Sequence, residues 1–210
     1  MASGDTQVTI SNTALRMLGA NAITSFTDGS DAAAICSALY PSIKDQSLGM
    51  YPWSFAKKKV TLSRSATAPT NEWEYAYPIP SNVLNNPFAV YNSASIGVVP
   101  MTNYEIYANS SGGRDVYTND AIIVIDYIDN LISEGAMPKY FIQLMNYMMA
   151  WHLAEPVTDQ IQKAEWWKNV TIGPPSENGR GGYIRQAMNI DGRNQPSYAI
   201  GSFPLTESRN

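Results

Sequence analysis

Apolar side chains recur at helical spacing near the start of the chain, and this pattern predicts two helices. The first covers residues 5–18, with Asp5 as its N-cap and Gly19 as its end. The second covers residues 30–51. Its interior Pro41 should kink it, because proline removes a backbone donor and clashes with the preceding turn.

The middle of the chain changes to the alternating pattern of β-strands. Residues 73–79 are the clearest case, since large apolar side chains stand at every second position there. Short apolar runs separated by Pro, Asn, Ser and Gly continue to residue 128. We predict five to seven short antiparallel strands in this region. The shared face in the clearest strand carries Trp73, Tyr75, Tyr77 and Ile79.

The helical period returns at Pro138, which suits the first position of a helix. This third helix is apolar over most of its circumference, so it must be covered on several sides, by the rest of the bundle or by a neighbouring subunit. Pro156 should break it, and Thr158 could cap a fourth helix that reaches about Val170. Residues 183–190 predict a last short helix.

The order of elements, helices then strands then helices, predicts an α+β fold. Four to five helices form a helical core from residues 1–54 and 128–192, and a β-rich antiparallel insert, residues 55–127, lies between the second and third helices. Residues 193–210 read as an extended tail. Its apolar residues are unusual for a solvated linker, so we expect the tail to dock on a partner surface.

Composition restricts the classes of function. Charged residues make up 15% of the chain, against roughly 25% in an average domain. The net charge of −4 and the pI of about 4.9 argue against general nucleic-acid binding. Cys36 is the single cysteine, so no disulfide forms within one chain. We expect the chain to remain in a reducing cytosol at first, because "MASGDTQ" lacks signal-peptide features and no run of about 18 apolar residues is present.

Few residues offer catalytic chemistry. His152 is the only histidine, and its place on an apolar helix stripe favours a packed, hydrogen-bonded core residue over a catalytic one. Phosphate-loop and dinucleotide motifs are absent, and no cofactor is predicted. A carboxylate pair that cleaves sugars, or an aromatic platform that binds them, remains an alternative. The candidate carboxylates are Glu72, Glu74, Asp126 and Asp129.

The segment "YPWSFAKKKVTLS", residues 51–63, changes abruptly from aromatic to basic. Its rigid aromatic side chains could lock the helical core to the insert. The lysines, Lys57, Lys58 and Lys59, have two interpretations that the sequence leaves open. They could protect the edge of a sheet from unwanted pairing, or they could form a row of salt bridges with an acidic neighbour.

Several sequence blocks follow one another in a definite order along this chain. Residues 12–63 contain "ALRMLG", "LYP" and "YPWSFA", and "WEYAYPIPSNVL", "MPKYFIQLMNYMMAWHLAEPVT" and "SFPLTESR" come later. In order and spacing these blocks resemble the head-to-tail adaptors of short-tailed phages, the tail tubular protein A family. The resemblance covers most of the chain. Residues 93–120 and the loop "GPPSENGRGG" depart from the family pattern, which leaves any fibre-docking surface undefined.

The resemblance implies a structural role without catalysis, cofactor or membrane. Family members form a dodecameric ring between the capsid portal and the nozzle, tail tubular protein B. Double-stranded DNA passes through the ring without sequence-specific binding, and in several members the rim also seats tail fibres. The implied location is the virion tail, after assembly in the host cytoplasm. We expect a lumen lined by Asp, Glu, Ser, Asn and Gln, because a basic lumen would hold DNA.

Residues expected at protein interfaces in such a ring are large aromatics, together with two lysines of the basic segment. They are Tyr51, Trp53, Phe55, Lys57, Lys59, Trp151, Trp166, Trp167, Tyr198 and Phe203.

Overall fold

A computed structural model describes residues 4–95, 97–109, 111–177 and 181–193. Within them the fold is α+β, with five α-helices and two small antiparallel sheets, as predicted. The strands all lie between the second and third helices. The helices are α1 (Gln7–Leu18), α2 (Asp31–Gly49), α3 (Lys139–Thr158), α4 (Ile161–Ile172) and α5 (Gly182–Arg193). The strands are β1 (Lys57–Thr61), β2 (Tyr75–Pro78), β3 (Val83–Tyr91), β4 (Glu105–Ala108), β5 (Arg114–Thr118) and β6 (Val124–Asp129).

The N-cap of helix α1 is Thr6, one residue later than predicted. The Thr6 hydroxyl accepts from the backbone N–H of Thr9, and the Thr9 side chain accepts from the N–H of Thr6, which makes a capping box. Asp5, predicted as the cap, instead pairs with Lys139 at 2.6 Å. The helix ends as predicted at Gly19, whose φ of 79° lies in the left-handed region that favours glycine.

Helix α2 begins after Ser30, as expected, since the Ser30 hydroxyl accepts from the N–H of Ala33 at 3.2 Å. The carboxylate of Asp28 in turn accepts from the backbone N–H and hydroxyl of Ser30. These bonds, with a further one from Thr24, hold the pKa of Asp28 at about 2. The helix continues through Pro41 and ends at Gly49.

The strands form two three-stranded antiparallel sheets. Sheet A has the order β1-β6-β3, and sheet B has the order β2-β5-β4. Both sheets contribute side chains to one apolar cluster, including Ile125 and Val90 from sheet A and Val116 and Tyr77 from sheet B. The two sheets therefore pack face to face around the core of the insert.

Strand β6 belongs to two apolar cores at once. Its Ile125 and Tyr127 lie in the core of the insert, whereas Ile128 lies in the core of the helical part. This follows from strand geometry, because successive side chains point to opposite faces. The boundary predicted between residues 127 and 128 falls inside this strand.

Helix α3 is the centre of the helical core. It packs against α1, α2, α4 and α5, and Phe141, Leu144, Met145 and Met148 are fully buried. The covering that its apolar surface needs therefore comes from the same chain. The composition of α3 no longer argues for a neighbouring subunit.

The ends of α3 differ from the prediction at three residues. Pro138 is the N-cap in extended conformation and not the first helical residue. Pro156 lies inside the last turn, and the helix continues to Thr158 before Asp159 adopts a left-handed conformation. Thr158 does not cap α4, because its hydroxyl donates back to the carbonyl of Ala154 at 2.6 Å.

Candidate interaction surfaces

The aromatic junction between α2 and β1 is part of the core. Trp53 is 0% exposed, and its indole Nε1 donates to the carbonyl of Ser47 at 2.9 Å. The rings of Tyr51 and Phe141 lie edge-on to it, each 5.1 Å away between centroids. Trp53 was predicted to lie at a protein interface. Its complete burial excludes that role, because a partner protein cannot contact the side chain. Tyr51 and Phe55 are half-buried and pack against the same core.

A buried carboxylate ties α5 to this junction. Asp191 is 0% exposed and accepts hydrogen bonds from the Ser54 N–H at 3.0 Å, the Ser54 hydroxyl at 2.6 Å and the Tyr140 hydroxyl. Burial, and then the bond to Asp191, raise the pKa of Tyr140 above its ordinary value. The sequence did not single out Asp191, because 137 residues separate it from Ser54.

The lysine row lies on β1, which is an edge strand of sheet A, and two of its members form ion pairs within the chain. Lys58 contacts Asp129 on β6, and Lys59 lies 3.3 Å from Asp126. Lys59 also lies over the ring of Tyr91, at 4.1 Å from its centroid. The acidic neighbour that the salt-bridge interpretation required is therefore the adjacent strand.

Lys57 faces a different neighbour. Its ammonium group lies 5.4 Å from the ring centroid of Phe88, a cation–π distance. Phe88 is 45% exposed, so this part of sheet A stays open to solvent.

The candidate catalytic carboxylates on β6 do not form a pair. Asp126 and Asp129 are three residues apart on a strand, so they point to opposite faces, and each contacts its own lysine. Burial alone would raise the pKa of Asp129, but hydrogen bonds from Lys58 and Asn82 outweigh it and the pKa lies below its ordinary value. A carboxylate held ionised in this way is unsuited to act as a general acid.

The other two candidates lie before β2. Glu74 Oε1 accepts a hydrogen bond from the Tyr75 hydroxyl at 2.6 Å, and Glu72 is exposed. Tyr77, on the aromatic face predicted for residues 73–79, is 1% exposed and belongs to the core of the insert, so it cannot serve as a platform for a sugar.

Of the three tryptophans predicted at interfaces in the second half of the chain, Trp166 alone is exposed, at 57%. Trp167 is half-buried, with its ring 5.6 Å from that of Tyr147. Trp151 stacks on His152 at 4.3 Å between ring centroids. The helix α4 that carries Trp166 is a surface helix, in which Thr171 is the buried residue.

His152 is a partly buried histidine without the expected hydrogen bond at one nitrogen. Its Nε2 is buried and has no partner among the described residues. Burial lowers the pKa of His152 below its ordinary value. The folded protein therefore favours the neutral form of the His152 imidazole.

This histidine should make the protein less stable in mild acid. As the pH falls through about 6.5, the histidine of the unfolded chain takes up a proton before that of the folded chain, so the free energy of unfolding decreases. We expect urea unfolding between pH 8 and pH 5.5 to show this decrease, and His152→Phe to remove most of it. An unchanged slope in the variant would assign the effect elsewhere.

Large exposed apolar residues that the sequence did not indicate lie on both parts of the fold. Ile161 on α4 is 62% exposed, Leu131 after β6 is 74% exposed, and Ile122 and Val99 in the insert are 54% and 78% exposed. Periodicity could not identify them, since an isolated apolar residue in a loop or at a helix start has no pattern. Tyr198 and Phe203 lie outside the described residues.

Sheet B carries an aromatic and acidic cluster on its outer face. Glu105 Oε2 accepts from the Trp73 indole Nε1 at 3.0 Å and from the Tyr107 hydroxyl. The rings of Tyr107 and Tyr117 lie 5.6 Å apart at an angle of 65°. We call these four residues the Glu105 cluster. In the sequence they are spread over 45 positions, so proximity was not evident.

Among the described residues no three His, Cys, Asp or Glu side chains stand together as a metal site. None of the helices in the described ranges is long and apolar enough to cross a membrane. The chain matches no known protein-family model, and a comparison with curated proteins also finds no match.

Proposed function

We propose that this chain is a subunit of a ring-shaped structural adaptor in the virion of a short-tailed phage. Twelve copies form a ring between the capsid portal and the tail nozzle, and the genome passes through its lumen. The ring connects the portal to the nozzle, forms a channel for DNA, and could also be an attachment site for tail fibres. The subunit does no chemistry of its own.

The observation that carries this proposal is where the resembling blocks lie in the fold. "ALRMLG" is the end of α1 with its Gly19 cap, and "YPWSFA" is the junction around Trp53. Residues 137–158 are the N-terminal flank and full length of α3. These three blocks are segments that build the helical core, where a shared fold constrains sequence most strongly, while "WEYAYPIPSNVL" lies in the insert around β2.

The distribution of exposed apolar side chains also supports a ring. Identical subunits close into a ring through a heterologous contact, in which two different surfaces of each subunit meet. The chain has exposed apolar residues on two separate parts: Trp166 and Ile161 on α4, and Ile122 and Val99 in the insert. These are two places where a neighbouring copy, the portal or the nozzle could bury apolar area.

Passage of DNA is compatible with the charges of the insert. Lys58 and Lys59 are paired with aspartates of β6, so they add little net attraction for phosphates wherever they lie in the ring. We retain the expectation that the lumen is lined mainly by acidic and neutral polar side chains.

Electron microscopy and native mass spectrometry of the protein alone and mixed with its portal test the proposal. We expect twelve-membered rings on the portal. Trp166→Glu should weaken this assembly, whereas Gln162→Glu, which adds the same charge to the same exposed helix, should leave it intact. A protein that stays monomeric beside the portal, or one that binds or cuts glycans, would contradict the adaptor role.

A further inference from the structure

The Glu105 cluster combines a fixed carboxylate with open aromatic surface. The indole N–H of Trp73 and the hydroxyl of Tyr107 both donate to Oε2 of Glu105, which holds the carboxylate in one orientation. Tyr107 is 47% exposed, and Trp73 and Tyr117 are half-buried. These side chains are therefore oriented by contacts within the cluster while part of their surface remains open to solvent.

The surroundings of the cluster are acidic. The hydrogen bonds from Tyr107 and then Trp73 lower the pKa of Glu105, so its carboxylate is charged at neutral pH. The hydrogen bond to Glu105 and burial raise the pKa of Tyr107, and the charges of Glu105 and Glu72 add to this rise. Within the described part of the chain, no lysine or arginine forms an ion pair with Glu105 or Glu72. The cluster thus has a negative charge that the described residues do not neutralise through an ion pair.

The ring geometry favours a cation over a sugar. Stacking of a sugar requires a flat aromatic face, but the Tyr107 and Tyr117 rings meet at 65° and form a corner. A corner of aromatic faces beside a carboxylate attracts a cation, because the ring faces are negative and the carboxylate adds a full charge. A planar guanidinium fits best, since it can stack on a ring and donate to a carboxylate at the same time.

Of the four cluster residues, Glu105 also lines a neighbouring groove. Glu105 borders an open groove of about 560 Å³, whose walls include Pro87, Met101 and Tyr104. The apolar and aromatic groups of this groove could contact the methylene stem of an arginine.

We propose that the Glu105 cluster is a docking site for an arginine side chain of a partner protein. The guanidinium would donate to the carboxylate of Glu105 and lie against the rings of Tyr107 and Tyr117. Trp, Tyr and Arg are the residues that most often dominate binding at protein interfaces, which is the chemistry assembled here. The site lies on sheet B, apart from α4, and the inference does not depend on the adaptor role.

A capped Gly-Arg-Gly peptide is a direct probe for the site. We expect its titration into the ¹⁵N-labelled protein to shift the indole N–H signal of Trp73, identified by its loss in Trp73→Phe. The same peptide with citrulline, which has the shape of arginine without its charge, should cause no shift. Glu105→Gln should lower the affinity for the arginine peptide about fivefold, as expected for one surface ion pair. Glu165→Gln, an equal charge change on α4, should leave it unchanged.

Retention on an arginine-coupled resin covers the case in which the protein forms assemblies too large for these spectra. Wild type and Glu165→Gln should be retained equally and eluted by free arginine, while Glu105→Gln should pass through earlier. Equal binding of the arginine and citrulline peptides, equal retention of the two variants, or a Trp73 shift caused by maltotriose and not by the arginine peptide would overturn the proposal.

Discussion

Trp53→Ala is expected to lower the free energy of unfolding by about 3–5 kcal/mol, the cost of removing a large aromatic side chain from a packed core. The indole of Trp53 lies between α2 and α3, where it packs against the rings of Tyr51, Phe55 and Phe141. The variant also loses a buried hydrogen bond, because the indole N–H that donates to the Ser47 carbonyl is absent. Urea unfolding followed by far-UV circular dichroism measures the change.

Trp166→Ala is the matched control. Trp166 is 57% exposed, so the same substitution should cost less than about 1 kcal/mol. If Trp53→Ala is too unstable to purify, Trp53→Phe keeps most of the ring and isolates the loss of the indole donor, with an expected cost of about 1–3 kcal/mol. Equal stability of the two alanine variants would mean that the junction is not a core.

Asp191→Ala is expected to lower the free energy of unfolding by about 2–3 kcal/mol and to loosen α5 in particular. Three donors, the N–H and hydroxyl of Ser54 and the hydroxyl of Tyr140, lose their acceptor in a place that water reaches poorly. Buried donors without partners cost roughly 1–3 kcal/mol each, offset in part because the carboxylate no longer has to be buried. In hydrogen-exchange measurements, the substitution should increase the exchange rate of α5 amides more than that of α1 amides.

Asp45→Ala provides the comparison for Asp191, because Asp45 is an exposed aspartate on α2. We expect its stability and its α5 exchange to equal those of the wild type. If Asp191→Ala changed stability without affecting α5 more than α1, the carboxylate would not be the link between α5 and the junction.

The class of fold could be predicted because its elements have strong periods. The stripe of α3 and the alternation around Tyr77 result from which faces are buried, and burial is repeated along each element. The order of helices, strands and helices then left few arrangements for a chain of this length.

Element ends were predicted less well, since they depend on competition between neighbouring groups. Asp5 and Thr6 are both good cap residues, and the reciprocal bonds with Thr9 decide in favour of Thr6. Pro156 was expected to end α3, but a proline in the last turn removes only one hydrogen bond, and the helix continues for two residues beyond it.

The candidate surfaces were harder to predict than the fold, because exposure is a property of the whole chain. Trp53 and Trp166 are the same residue type beside other aromatics, yet one is fully buried and the other is open. The bonds of Asp191 and the Glu105 cluster join residues far apart in sequence, and no local pattern records such contacts. The arrangement of neighbours around α3 likewise became evident only from the packing of the other four helices.

Strand β6 has a consequence for building chimeras. Ile125 and Tyr127 belong to one core and Ile128 to the other. An insert exchanged without residue 128 would therefore divide β6 between two sequences, and its Ile128 side would not have been selected together with the rest of the strand. A functional chimera must therefore contain the whole of β6 from one source, or have the residue at position 128 redesigned to fit the helical core. Natural recombination that exchanged this insert between related proteins would be subject to the same restriction.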